Sequence, residues 1–211
     1  MQIPHPEVVT EQTLRLFKRI SQIQAYSDFY LAGGTALSLQ LGHRKSIDLD
    51  FFSQKDFDPR ILEYLPYPYK TLAKYPNSID IFTENTKVFF FYYGFAHYKE
   101  LLEFGDMRML HPLDIGLTKL LALQTRSTKK DIIDLYFIDK EVIPLEDLLE
   151  LFEHHYSHDS FNSYDSLTTI IDSKELEQHP LPDMLIACDW DDAYGLVSEK
   201  IAQHIHNLVS N

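Results

Sequence analysis

The stretch YLAGGTALSLQLGHRKSIDLDFF, Tyr30 to Phe52, constrains the fold more than any other part of the chain. Residues 28–32 form a short apolar run that reads as a buried strand, ended by Gly33-Gly34. Residues 35–41 have helical spacing, and Gly42 stands where a left-handed residue usually closes a helix. Residues 47–52 read as a second strand. Alternation along that strand puts Asp48 and Asp50 on one face and Leu49 on the other, toward a core. A strand, a glycine pair, a short helix and an acidic strand in this order read as a mixed α/β unit, with helices packed on a sheet.

The flanking sequence extends this pattern. Residues 10–23 are helical, with Leu14, Phe17, Ile20 and Ile23 recurring at three-residue steps. Asp58-Pro59 has the cap and first-turn residues of another helix. Two aromatic-rich strands, 78–83 and 87–93, flank Glu84-Asn85-Thr86, which suits a hairpin turn. From His111 the period is helical almost to the end, with breaks near Ser127, Pro144, 157–163 and 179–182. The expectation is an α+β fold, with a mixed-sheet core over residues 1–108 and a mainly helical region over 109–211 that completes a cleft. The 45% hydrophobic share supports a sizeable core, and the 13% aromatic share argues against disorder. A net charge of -13 disfavours wholesale coating of nucleic acid but leaves room for a small basic site. Cys188 is the single cysteine, so no internal disulfide forms, which fits a reducing cytoplasm. The opening MQIPHPEVVT is unlike a signal peptide, and the longest apolar run, 88–96, is about half a membrane span. The reading is therefore a cytoplasmic chain with no membrane partner.

The chemistry concentrates in two places. Glycines at 33 and 34 let backbone N–H groups approach a phosphate, and the helix start after them favours negative charge. Asp48 and Asp50 can offer oxygen ligands to a hard cation such as Mg²⁺. The second place is LDIGLTKLLALQTRSTKKDIIDLYFI, 113–138. There Leu113, Leu117, Leu120 and Leu121 form one helical stripe, with Lys119 and Arg126 on the opposite face. Asp131 and Asp134 point away from the apolar face made by Ile132, Ile133, Tyr136 and Phe137. Periodicity leaves two readings open here: solvated faces of two amphipathic helices, or a site. The histidine groups at 154, 155 and 158 and at 204 and 206 lack the spacing and supporting acids of a zinc centre and read as surface residues.

Taken together, Gly33-Gly34-Thr35, the run to Ile47 and then Asp48-Leu49-Asp50 resemble the first motif of the polymerase-β-like nucleotidyltransferase fold. The finer pattern resembles the AbiEii/AbiGii nucleotidyl transferase family, toxin components of toxin–antitoxin and abortive-infection systems. Arg44 and Ser46 match its Arg-x-Ser, while Lys119, Arg126, Asp131, Asp134 and Leu135 match its second half. MLIACDWDDAYGLVSEKI, 184–201, looks like its closing helix. The resemblance implies a Mg²⁺- or Mn²⁺-dependent transfer of a nucleoside monophosphate from an NTP to a tRNA or protein acceptor, with a cognate antitoxin as partner. It implies that Asp48 and Asp50 hold the metal, and that Gly33, Gly34, Thr35, Arg44 and Ser46 bind nucleotide. Lys119 would grip the triphosphate, Arg126 would brace phosphate or Asp131, Asp131 would be a further catalytic acid, and Asp134 would orient it. A tRNA would meet a basic rim including Lys45, Lys129 and Lys130.

One departure stands out. Many enzymes of this fold carry a third metal carboxylate on the following strand, but KVFFFYYGF has none, and Asp80 is the only acid nearby. That departure supports a rival reading as a non-catalytic nucleotide-binding module. The acidic surface supports another, a transferase acting on small cationic molecules of the antibiotic type.

Overall fold

The computed structural model describes residues 2–123, 128–156, 167, 176 and 179–210. The chain divides into two compact units, Met1–His111 and Pro112–Asn211.

The first unit is built on a seven-stranded mixed sheet of order β3-β4-β5-β2-β1-β7-β6. Its strands are β1 (Tyr30–Ala32), β2 (Leu49–Ser53), β3 (Lys70–Tyr75), β4 (Ser78–Thr83), β5 (Thr86–Tyr92), β6 (Leu102–Phe104) and β7 (Met107–Met109). β2 is interior: it runs antiparallel to β1 and parallel to β5. The sheet's core side carries Leu49, Phe51, Ile79, Ile81, Val88 and Phe90, all almost fully buried. Helix α1 (Glu11–Ser21) lies on this side. Its apolar residues Leu16, Phe17 and Ile20 are buried, and the Phe17 ring sits 5.8 Å from that of Phe51. Thr10 starts α1 by accepting the Thr13 N–H at 3.1 Å. The other side of the sheet carries Asp50, Phe52, Phe89 and Phe91, which are only partly buried.

The β4–β5 hairpin follows the sequence closely. Glu84 and Asn85 occupy the two-residue loop with φ of 48° and 58°, the left-handed pair that matches the strands' twist. Helix α2 (Gly33–Leu41) absorbs the glycine pair into its first turn, so the glycines begin the helix and do not precede it as a separate turn. Gly42 ends α2 in the left-handed region as expected. The Asp58-Pro59 signal produces a 3₁₀ turn, Pro59–Tyr64, in place of an α-helix. The edge strand β3 and the short β6–β7 pair lie outside the sequence reading. β3 is exposed on both sides except at Ala73, so it lacks the alternation that marks a half-buried strand.

The second unit contains α3 (Pro112–Ala122), α4 (Lys129–Glu141), α5 (Leu145–Tyr156) and α6 (Trp190–Ser210) among the described residues. Its core joins Ile115, Leu120, Ile132, Leu135, Ile138, Leu148, Leu149, Phe152, Val197 and Ile201. Gly116 allows α5 to approach α3, because a Cβ there would lie 2.8 Å from a methyl of Leu148. Lys200 on α6 reaches Asp139 at 2.6 Å and Glu146 at 2.8 Å, tying α6 to α4 and α5. None of the described helices is long and apolar enough to cross a membrane.

Candidate active site

In the first unit the acidic pair is braced from two directions. Ala32, at the end of β1, pairs with Asp50 on β2, so the chain enters α2 directly beside that aspartate. Gly33 takes φ of +62°, and a Cβ on it would lie 2.5 Å from Asp50 Oδ2. Both the backbone conformation and the space therefore select glycine. The second brace is a hydroxyl relay. Thr35 is buried and donates its hydroxyl hydrogen to the Asp48 carbonyl. With that hydrogen used, the 2.6 Å contact between Thr35 and Ser46 requires Ser46 to donate to Thr35. Thr35 and Ser46 thus fix the backbone that presents Asp48. Arg44 is also buried, at 2% exposure, and among its contacts Nη1 donates to the Lys45 carbonyl at 3.1 Å.

Asp48 and Asp50 are half-buried, two residues apart, while Leu49 and Phe51 enter the core between and after them. Two carboxylates in this arrangement are hard oxygen donors of the kind that suits Mg²⁺ or Mn²⁺. Among the described residues no group of three or more His, Cys, Asp or Glu side chains could hold a metal. The sheet register explains why. β5 places Phe89 beside Asp50, and β4 places Asp80 beside Phe89. Asp80 is therefore two strands away from Asp50, about 10 Å at ordinary strand spacing, with a phenylalanine between them. Burial raises the Asp80 carboxyl above its ordinary value, against the opposing pull of Lys87.

In the second unit Lys119, Asp131 and Asp134 come together as a buried triad. The Lys119 ammonium lies 2.7 Å from Asp131 Oδ1 and 2.7 Å from Asp134 Oδ2. Thr128, the cap of α4, donates its hydroxyl to Asp131 Oδ2 at 2.7 Å. Burial alone would raise the Asp131 pKa, but the charge and hydrogen bond of Lys119, with the Thr128 bond, hold it below the ordinary carboxylate value even beside Asp134. Periodicity placed these side chains away from their own helices' apolar stripes, which suggested water. In the structure all three are buried, and α3 is enclosed on nearly every side, including at Asp114 and Lys119. The signal for Thr128 is local: Thr-x-x-Asp at 128–131, ahead of an apolar run, is a capping pattern. Arg126 lies outside the described residues.

The profile described as "Nucleotidyl transferase AbiEii toxin, Type IV TA system" matches residues 15–74 and 67–199, most of the chain. The chain belongs to the AbiEii nucleotidyl transferase toxin family. Uncharacterized protein aq_aa25 of Aquifex aeolicus (strain VF5) is 26% identical over 200 residues, covering 90% of this chain and 94% of that one. Among solved structures, MenT4, a nucleotidyltransferase toxin from Mycobacterium tuberculosis H37Rv, superposes with a TM-score of 0.54 at 14% identity, over 92% of this chain and 85% of that one. A candidate nucleotidyltransferase from H. pylori gives 0.52 at 21% identity, over 95% and 97%. At these identities the two structures establish a shared fold. In this AbiEii-family nucleotidyltransferase, both profile segments run through residues described above: the first spans the Gly33–Asp50 unit, and the second spans Lys119, Asp131 and Asp134.

Proposed function

We propose that this AbiEii-family chain transfers a nucleoside monophosphate from an NTP to an acceptor hydroxyl on tRNA or protein, with Asp48 and Asp50 holding Mg²⁺ or Mn²⁺. The observation that carries the reading is the packing of Gly33 against the Asp50 carboxylate, coupled to the Thr35 bond that fixes Asp48. That packing costs the chain side-chain freedom at 33 and keeps a carboxylate pair beside a helix start, where phosphate is favoured.

In the reaction the acceptor oxygen attacks the α-phosphorus, the bond from that phosphorus to the bridging oxygen breaks, and pyrophosphate departs. The acceptor's hydroxyl proton passes to a carboxylate of the pair and on to water. A bound divalent ion supplies positive charge that offsets the charge gathering on the phosphate oxygens. Gly33 and Gly34 leave the α2 backbone accessible to phosphate, while Thr35 and Ser46 act as positioning residues for Asp48. Arg44 fixes the linker between α2 and β2 and is assigned to nucleotide binding with Arg126. The family resemblance assigns Lys119 to phosphate as a point charge; within the second unit its ammonium is held by Asp131 and Asp134. A cognate antitoxin partner and a cytoplasmic setting complete the reading, in keeping with the type IV toxin–antitoxin description of the family.

The test is incubation with each α-labelled NTP, Mg²⁺ and total tRNA, followed by separate recovery of RNA and protein. Label should enter one acceptor class from one or more nucleotides and vanish in Asp48→Asn/Asp50→Asn, which should melt like the native chain. Wild-type labelling by that double variant would remove the metal assignment.

A further inference from the structure

The sheet's open side carries a feature that the acidic pair does not use. Phe82 on β4 pairs with Lys70 on β3 and with Lys87 on β5, so the three side chains form one row across three strands. Both lysines are exposed, and Phe82 is 39% exposed although its neighbours in sequence, Ile81 and Thr83, are buried. Lys87 immediately precedes the Val88–Leu49 pair on β5, and Asp48 immediately precedes it on β2. The row therefore begins beside the acidic pair and runs outward to the edge strand. Phe89 and Phe91 continue the same side of β5, stacked at 5.7 Å, and Phe52 lies 5.4 Å from Phe91.

An exposed ring between two cations is unusual on a body of charge -13. Solvation accounts for lysines but not for the ring, and core packing accounts for neither. Alternating rings and cations on an open sheet are how single-stranded nucleic acid is held, with bases stacked on rings and phosphates paired to lysines. Asp80, on the same side, pulls on Lys87 and would repel a phosphate, which confines the strand's backbone to the lysine row.

We propose that Lys70, Phe82 and Lys87 form the docking strip for a single-stranded nucleic-acid acceptor, with one base on Phe82 and phosphates on the two lysines. The strip directs the strand's terminal hydroxyl toward Asp48 and Asp50. This rests on the nucleotidyltransferase reading and selects nucleic acid over a protein hydroxyl.

The test is fluorescence anisotropy of the full chain with a labelled single-stranded RNA of about 12 nucleotides across a salt series, a length that covers one stacking platform. Lys70→Glu/Lys87→Glu should weaken binding at least about tenfold, with a salt slope smaller by about 1.4, two phosphates' worth for a single strand. Phe82→Ala should weaken binding about fivefold or more, the loss of one stacked base. Lys18→Glu/Lys140→Glu, which reverses two exposed lysines elsewhere, is the control. Equal effects from the two double variants, or no RNA binding by the native chain, would overturn the strip. A fluorescent NTP analogue is titrated in parallel and should bind all variants within twofold. Loss of NTP binding together with RNA binding would assign the row to the nucleotide and overturn the acceptor role. A native chain that binds RNA through the strip but transfers nothing would sink the enzymatic reading alone.

Discussion

Gly33→Ala separates backbone strain from displacement of the acidic pair. An alanine at φ of +62° costs about 1–2 kcal/mol. Its Cβ would also lie 2.5 Å from Asp50 Oδ2, so the carboxylate must retreat by about 1 Å to reach ordinary contact. Displacement on that scale at a reacting group can cost on the order of a hundredfold in rate. Gly105 supplies the control: its φ is +67°, and a Cβ there meets nothing within 4 Å. The two alanine variants should share the backbone cost, a melting temperature lower by roughly 2–8 °C for a chain of this size. Only Gly33→Ala should lose nucleotidyl transfer. The assay is transfer rate at saturating NTP and Mg²⁺, beside a thermal melt of each variant. Equal rates in the two variants would refute the claim that Gly33 is there to admit Asp50.

Three further outcomes follow from the buried contacts. Lys119→Met leaves Asp131 and Asp134 buried without their cation and should cost about 3–5 kcal/mol, read by urea unfolding; a loss below 1 kcal/mol would mean the triad is hydrated and loose. Because the Asp131 pKa is lowered from 3.8, its contribution is present above that value and lost as pH falls through the still lower folded value. Acid unfolding should therefore have a component below about pH 4 that is missing in Asp131→Asn, measured by circular dichroism against pH. Thr35→Val removes the hydroxyl that holds the Asp48 carbonyl at nearly constant volume. It should cost about 1 kcal/mol in stability and lower kcat more than it raises KM, checked by steady-state transfer kinetics.

The elements that could be read from the chain were those whose local chemistry admits one solution. Glu84 and Asn85 had to turn left-handed between two alternating strands, and Gly42 had to close α2. The acidic pair was readable because alternation fixes Asp48 and Asp50 relative to Leu49 without knowledge of the neighbouring strands. What stayed hidden depends on partners distant in sequence. β3 is a strand because β4 offers it an edge, and its own KTLAKY has no pattern of burial. The place of Asp80 depends on strand order, which puts Phe89 between it and Asp50. Helical periodicity orders Lys119, Asp131 and Asp134 on their own helices but says nothing of what covers them, so a buried triad reads as three wet charges. The contacts of Thr35 and Ser46 stayed hidden for a similar reason: nothing local in the sequence says that the Thr35 hydroxyl meets the Asp48 carbonyl and the Ser46 hydroxyl.

Thr35 grips position 48 through its carbonyl, a group that every residue possesses. That bond makes no demand on the side chain at position 48, so a substitution there can keep it. For a chain of a toxin family this separation has a practical result. A single asparagine at 48 should yield a disarmed copy with native shape, which a host could make in quantity without harm. Such a copy would present the same surface as the active form, and would serve as bait for the acceptor.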